Sequence, residues 1–206
     1  MSVDWTIFHA LNGLLIHRDG AQDAATTFNT WAIYALVGIA GLTWFFARPG
    51  GSVRSKMAAV SAAASGAVAL LVNVLLGRLW FHDRPFVDHP RHTLLLIHHA
   101  ADNSFPSDHA SLAFAVAFSV LAFHRRLGLL LLLGAGCVGV DRIFVGVHYP
   151  LDVAASVGVG LCSALIVTTR GQSGVAWIVQ RLSHLTDPVV GAAVARISAQ
   201  HRQRAL

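Results

Sequence analysis

Long apolar runs, separated by short polar segments, dominate the chain from about residue 28 onwards. Five runs approach or exceed the roughly 18–20 residues that an α-helix needs to cross a bilayer. A shorter segment at the N-terminus has apolar residues at helical spacing, which predicts an amphipathic helix in the membrane interface. The pattern therefore predicts an all-α fold, a polytopic transmembrane helical bundle of five to six spans formed as a single domain by residues 1–206. The expected interfacial helix is 3–17, and the expected spans are 28–47, 57–79, 108–124, 127–147 and 150–169.

The segment 171–206 leaves the number of spans open, because it mixes polar and apolar residues and contains Pro188. An interfacial helix broken at Pro188 is favoured over a weak sixth span, since proline removes a helical hydrogen bond. With five spans, this tail and the arginine-containing loops near 48–56 and 124–126 share one side. The positive-inside rule makes that side, with the C-terminus, cytoplasmic. Residues 80–107 then face outwards.

Composition agrees with a membrane protein, because 55% of the residues are hydrophobic and 12% are charged. Soluble domains carry about 25% charged residues. The formal net charge of +5 is spread over helix ends, without a basic and aromatic module. We therefore expect membrane lipids, and no nucleic acid, as partners.

A first polar cluster, "GRLWFHDRPF", follows the second span and places Arg78 six residues before Arg84. If the helix ends near Trp80, ahead of Pro85, both guanidiniums can turn towards one point. Arginine binds phosphate through two donors at once, so a phosphate site is one interpretation. Contact with lipid headgroups is the other.

A second cluster, "SFPSDHAS", precedes the third span. Pro106 suits the first turn of a helix, Ser104 or Ser107 can cap it, and Asp108 complements the helix dipole. These features of a helix start explain the other residues of the cluster but not His109. Free backbone N–H groups at a helix N-terminus bind anions, and a histidine beside them can donate a proton to a leaving oxygen.

The third cluster, "DRIFVGVHYPLD", contains Arg142 near the outer end of the fourth span. His148 precedes Pro150, which should begin the fifth helix and place Asp152 in its first turn. The Asp152 carboxylate can then reach back to the His148 ring. Such a pair fixes the tautomer and leaves the other ring nitrogen free to attack. An interfacial histidine and a helix-start acid are the alternative interpretation of this cluster alone.

Together the clusters resemble the motifs of the type 2 phosphatidic acid phosphatase (PAP2) superfamily, usually written KxxxxxxRP, PSGH and SRxxxxxHxxxD. Here they read "RLWFHDRP", "PSDH" and "DRIFVGVHYPLD". Arg78 stands where lysine is usual and is one residue closer to the second arginine. Asp108 replaces glycine, and Asp141 replaces serine, where we expect it to hold Arg142. The "FPSDHA" and "VGVHYPLD" forms resemble the bacterial undecaprenyl-diphosphatase branch.

The resemblance implies a mechanism without metal or cofactor. His148 would attack the terminal phosphorus and form a phosphohistidine, with Asp152 orienting its ring. His109 would protonate the leaving lipid phosphate and then activate water. The phosphoryl oxygens would be held by Arg78, Arg84, Ser107, Arg142 and backbone N–H groups around Asp108.

The resemblance also implies an enzyme that hydrolyses the terminal phosphate of undecaprenyl (polyprenyl) diphosphate, recycling the carrier lipid of cell-wall synthesis. It would lie in a bacterial cytoplasmic (inner) membrane with its active site facing outwards. Alternatives are a phosphatidylglycerophosphate or phosphatidate phosphatase, and a non-catalytic protein that binds or transports lipid phosphates. The oligomeric state stays open.

The outer segment is rich in histidine, and its composition leaves two interpretations. A metal cluster is one, but the spacing is irregular and no cysteine lies among these residues. A solvated or headgroup-facing loop is favoured, so no metal site is expected. The residues concerned are His82, His89, His92, His98 and His99.

Overall fold

The computed structural model describes residues 2–45 and 52–204, with side chains up to residue 188. Within these residues it contains eight α-helices and no strand, which confirms the all-α prediction. A π-helical turn, Ile166–Arg170, joins the last two helices. The helices are α1 (Val3–Gly13), α2 (Asp19–Leu42), α3 (Val53–Leu79), α4 (Pro85–Asp88), α5 (Asp108–Phe123), α6 (Arg125–Phe144), α7 (Pro150–Leu165) and α8 (Gln172–Arg204).

Four helical segments in the described part of the chain are long and apolar enough to cross a membrane. They are α2, α3, α6, and α7 together with the π-helical turn. The third expected span corresponds to α5, whose 16 residues extend about 24 Å, less than the roughly 30 Å of a bilayer's hydrocarbon core. The chain is thus an integral membrane bundle in which the "SDHAS" residues begin a short apolar helix, α5.

Several predicted boundaries differ from the observed ones. α2 begins at Asp19 instead of residue 28, because helical hydrogen bonds continue through the polar residues that precede the apolar run. α1 ends at Gly13 instead of residue 17, where His17 has a positive φ of 62°. α6 ends at Phe144 instead of residue 147, ahead of Gly146 with φ of 88°. The expected end of the first span, residue 47, lies outside the described residues.

The tail prediction was wrong at Pro188, since α8 continues through this proline as one helix. Proline removes only one backbone donor, so the helix on either side can persist. Just before Pro188, two residues of α8 contact the buried Lys56 of α3. Lys56 donates a hydrogen bond to Ser183 at 3.0 Å and forms an ion pair with Asp187 at 2.5 Å. These contacts hold α8 against α3 at the end of the bundle opposite the start of α5.

The bundle is built around α5, which packs against α3, α6 and α7. Its buried side chains are mostly small, which lets neighbouring helix backbones approach closely. At Gly160 of α7, an added Cβ would lie 2.6 Å from the Phe114 Cβ and 2.8 Å from the Ala115 backbone nitrogen. A hydrogen bond of 2.7 Å from Ser119 to Ser65 links α5 with α3. Close packing of this kind fixes where α5 begins.

The N-terminal helix α1 packs on α6 and α7 at the same end of the bundle as the start of α5. Phe8 is fully buried and lies edge-on to Tyr149, with ring centroids 5.5 Å apart. Asp4 accepts a hydrogen bond of 2.9 Å from the backbone of Leu151, in the first turn of α7. Asn12 donates to the carbonyls of Leu94 and Phe144. α1 thus contacts the segment that carries the third motif.

Candidate active site

A cavity of about 310 Å³ opens where the end of α3, the 80–107 segment, the start of α5 and the α6–α7 loop meet. Four of the predicted site residues line it, namely Arg84, Asp108, His109 and His148. Residues of the three motifs, up to 64 positions apart along the chain, therefore come together around one space.

His148 and Asp152 form the expected pair. Nδ1 of His148 lies 3.5 Å from Oδ2 of Asp152, and both side chains are buried. Pro150 begins α7 as predicted and brings Asp152 back below the ring. The same Oδ2 accepts hydrogen bonds from the Ser104 hydroxyl at 2.6 Å and from the Tyr149 backbone at 2.8 Å. Ser104 is thus a partner of the carboxylate, not the helix cap.

Burial keeps the His148 ring neutral. Removal from water is the largest effect on its pKa, and it lowers the pKa to about 3. The hydrogen bond to Asp152 acts in the opposite direction, while the charges of Arg142 and Arg84 add to the lowering. A neutral imidazole has a free lone pair on one nitrogen, which a nucleophile requires.

Arg84 is 5% exposed and is fixed on several sides. Its Nε donates to Asp102 at 2.8 Å, and its Nη1 donates to the Val147 carbonyl at 2.9 Å. Nη1 also lies 3.2 Å from Nε2 of His148. Burial opposes ionisation of Asp102, but the hydrogen bond and charge of Arg84 outweigh it, so the pKa of Asp102 is lowered. Arg84 therefore presents a fixed positive charge beside Nε2 of His148.

Arg142 is buried behind the cavity, with 2% of its surface exposed. Nη1 donates to Asn29 of α2, whereas Nε and Nη2 have no hydrogen-bond partner among the described residues. The expectation that Asp141 holds Arg142 was wrong, since these two residues form no ion pair among the described side chains. Asn29 binds the guanidinium instead. Two unpaired donors on a buried cation suit an incoming anion.

At the start of α5, Ser107 is the N-cap and accepts from Ala110 at 3.5 Å. Pro106 precedes the cap and is not in the first turn as predicted, because the helix begins at Asp108. Asp108 accepts a hydrogen bond of 2.7 Å from Asn73 of α3, which in turn accepts from Ser111. The acid that replaces the usual glycine is therefore tied to α3.

The structure does not bring Arg78 into this cavity. Arg78 lies exposed in the last turn of α3 and is not among the residues that line the space, although its neighbour Gly77 is. Of the two arginines in this motif, Arg84 alone lines the cavity.

The histidines of the outer segment have separate surroundings. His82 lies 3.2 Å from Oδ1 of Asp152, and His99 lines the cavity with a pKa lowered by burial. His89 packs against Trp5 of α1, with ring centroids 3.7 Å apart. Within the described residues, no group of three or more histidine, cysteine or acidic side chains is arranged to hold a metal ion.

Sequence reasoning missed Asn29 and Asn73 as supports of the site. A signal was available, because an amide in a membrane-spanning segment is costly and usually has a specific partner. The role of Asp102 carried no such signal, since it depends on the path of an irregular loop.

The arrangement combines an oriented, neutral imidazole, the Arg84 guanidinium, a second histidine and a helix N-terminus around one space. The Arg142 guanidinium does not line this space and is buried behind it. Arginines neutralise the charge of a phosphoryl group, and the imidazole can accept that group. The chemistry that fits is phosphoryl transfer.

Comparison with known proteins supports this chemistry. The chain is 38% identical over 160 residues to undecaprenyl-diphosphatase BcrC of Bacillus subtilis (strain 168), covering 77% of this chain and 79% of that protein. It is also 38% identical over 116 residues to the putative undecaprenyl-diphosphatase YbjG of Escherichia coli (strain K12), covering 56% of this chain and 58% of that protein.

The fold is similar to the crystal structure of Aquifex aeolicus LpxE, with a TM-score of 0.66 and 21% identity over 81% of this chain and 94% of that chain. The sequence profile of the PAP2 superfamily matches residues 58–173, more than half of the chain and all three motif segments. The chain belongs to the PAP2 superfamily.

Proposed function

We propose that this protein is a membrane phosphatase that hydrolyses the terminal phosphate of undecaprenyl diphosphate through a phosphohistidine. The observation that carries the proposal is the His148 ring, held by Asp152 on one nitrogen and facing Arg84 with the other. The substrate follows from the 38% identity to undecaprenyl-diphosphatase BcrC.

In the first step, the lone pair on Nε2 of His148 attacks the terminal phosphorus. The bond from that phosphorus to the bridging oxygen breaks, and His109, which is protonated when the anionic diphosphate is bound beside it, donates a proton to this oxygen. Undecaprenyl phosphate leaves, and the phosphoryl group stays on the imidazole. The ring becomes cationic, and Asp152, which is fully buried, stabilises the charge through Nδ1–H.

In the second step, the now neutral His109 takes a proton from water. The resulting oxygen attacks the phosphohistidine, the N–P bond breaks, and inorganic phosphate is released. His148 and His109 return to their starting protonation states, as acid and base roles alternate over the two steps.

The charge on the transferred group is balanced by Arg84, Arg142 and the N–H groups at the start of α5. Arg142 supplies the two donors that have no partner among the described residues. Arginines fixed in a buried site stabilise a phosphoryl transition state without reorganising when the charge develops. Ser107 caps the N-terminus of α5 by accepting a hydrogen bond from the backbone N–H of Ala110.

The site faces outwards in the proposed topology, and the C-terminus lies in the cytoplasm. The basic first turns of α3 and α6 lie at the opposite end of the bundle, where Ser55 contacts His124 at 3.1 Å. The positive-inside rule assigns that end to the cytoplasm. Hydrolysis would then return the carrier lipid of bacterial cell-wall synthesis at the outer face of the membrane.

A substrate panel with purified protein in detergent micelles tests the proposal. Undecaprenyl diphosphate should release phosphate faster than phosphatidylglycerophosphate or phosphatidate. His148→Ala should lower turnover by about 10⁴-fold or more while substrate still binds, because the nucleophile is lost. The exposed His184 of α8 provides the control, and His184→Ala should retain activity. Faster turnover of phosphatidate would overturn the substrate, and full activity in His148→Ala would overturn the mechanism.

A further inference from the structure

The buried carboxylate of Asp152 has hydrogen-bond partners on both of its oxygens. Oδ2 contacts Ser104, the Tyr149 backbone and His148. Oδ1 lies 3.2 Å from Nδ1 of His82, its single side-chain partner in the described part of the chain. One carboxylate therefore joins two imidazoles. His148 is a fixed residue of the third motif, whereas His82 occupies a variable position of the first motif.

His82 is held in place by its backbone. Its N–H donates to Asn103 at 2.8 Å, and its carbonyl accepts from the Ser104 backbone at 2.8 Å. The residue is thus bound to the strip of loop that also supplies the Ser104 hydroxyl to Asp152. A fixed backbone on both sides limits the positions that the ring can adopt.

The ring of His82 is fixed by its neighbours as well. It packs against Tyr149, with ring centroids 5.2 Å apart, and against Trp80 at 6.1 Å. Its side chain is 28% exposed, whereas Asp152 is fully buried. His82 is not among the residues that line the cavity.

We propose that His82 is a positioning residue of the catalytic carboxylate. Its Nδ1–H donates to Oδ1 of Asp152 and thereby keeps Oδ2 directed at Nδ1 of His148. This inference rests on the proposed function, since orientation matters only if His148 accepts the phosphoryl group. A buried carboxylate that loses a donor rotates towards other donors or takes up a proton. Either change weakens its hold on the ring of His148.

The expected kinetic consequence is specific. His82 does not line the cavity, so substrate binding should be unaffected when its donor is removed. Transfer of the phosphoryl group to His148 should slow by roughly 10–100-fold, as is usual when a hydrogen-bond partner behind a functional ligand is lost. The effect should therefore appear in kcat and not in KM.

Two substitutions separate this role from simple packing. His82→Leu removes the donor, whereas His82→Asn places an amide N–H close to the position of Nδ1. The exposed His98, in the same segment, provides the control variant His98→Leu. Formation of the phosphoenzyme is followed by rapid quenching with undecaprenyl diphosphate labelled in its terminal phosphate, alongside thermal unfolding of each variant.

His82→Leu should form phosphoenzyme about 10–100-fold more slowly than wild type, and His82→Asn should stay within about threefold of it. A wild-type rate in His82→Leu, with phosphoenzyme still formed, overturns this inference alone. Equal slowing in both variants, with a lowered melting temperature, also overturns it, because the residue would then only support the fold. If wild type forms no phosphohistidine, the proposed function and this inference both fail.

Discussion

Nη1 of Arg84 lies 3.2 Å from Nε2 of His148. A guanidinium has no lone pair to offer, so the imidazole nitrogen must be the acceptor in this contact. The proton of the neutral ring is then on Nδ1, which faces Asp152. Arginine and aspartate thus select the same tautomer from opposite sides of the ring. A phosphoryl group that enters takes over the Arg84 donor and leaves Nε2 free to attack.

The unequal placement of two predicted arginines gives a first prediction. Arg142→Ala should lower kcat/KM by roughly 10²–10³-fold, because it removes donors from the phosphoryl group in a buried site. Arg78→Ala should change it by less than about threefold, since an exposed charge outside the cavity contributes little. Phosphate release over a range of substrate concentrations measures both. Equal losses would contradict the placement of Arg78.

The histidine at the start of α5 should be needed for both steps of the reaction. His109→Asn should reduce turnover by roughly 10²–10⁴-fold, the usual contribution of a general acid or base. A phosphate can leave without an acid more easily than water can attack without a base. Loss of His109 should therefore slow the second step more than the first, and phosphoenzyme should accumulate in this variant. Acid-labile label on the protein after quenching measures it. Hydrolysis of the phosphoenzyme at the wild-type rate would exclude His109 as the base.

Gly146 should be sensitive to the smallest substitution. With φ of 88°, an added Cβ would lie 2.3 Å from the Leu94 carbonyl oxygen. Gly146→Ala should therefore destabilise the fold by at least about 1–2 kcal/mol from backbone strain alone, and should lower kcat by displacing His148.

Gly158 is the matched control for this substitution, since nothing lies within 4 Å of its added Cβ in α7. Gly158→Ala should be neutral or slightly stabilising, by up to about 1 kcal/mol. Thermal unfolding in detergent compares the two variants. A melting temperature for Gly146→Ala that matches the control would show that the loop adapts without strain.

Chelation should leave the reaction unaffected. Arg84 and Arg142 supply the positive charge that a metal ion often supplies in phosphoryl transfer. Phosphate release should continue at the full rate in excess EDTA. Loss of activity that Mg²⁺ or Zn²⁺ restores would instead assign a metal to the histidine-rich outer segment.

The helices and the central pair were predictable because they depend on local patterns. Apolar length indicated the spans, and Pro150 between His148 and Asp152 indicated a helix start that folds the carboxylate back to the ring. Helix ends were less predictable. α2 begins at Asp19, before its apolar run, since backbone hydrogen bonding does not require an apolar side chain. α6 instead ends at Phe144, before its apolar run does, ahead of Gly146 with its positive φ.

The supports of the site were hidden because they depend on long-range contacts. Asn29 reaches Arg142 across 113 positions, and Asn12 reaches Phe144 across 132. Ser104, His82 and Asp102 lie in a segment without helical or strand periodicity, so their directions follow from the loop's path. The motifs predicted the candidate reacting groups, whereas the groups that orient them could be identified only from the structure.

The contacts of α1 have a practical consequence for handling the protein. Asp4 accepts a hydrogen bond from the backbone N–H of Leu151, and Trp5 packs on His89. The first turn of α1 therefore lies beside the start of α7. Ser2 caps α1 through a hydrogen bond from Trp5. An affinity tag fused directly before Ser2 would crowd this corner. Purification tags and fluorescent reporters are better placed after α8, whose described side chains contact α3 at the opposite end of the bundle.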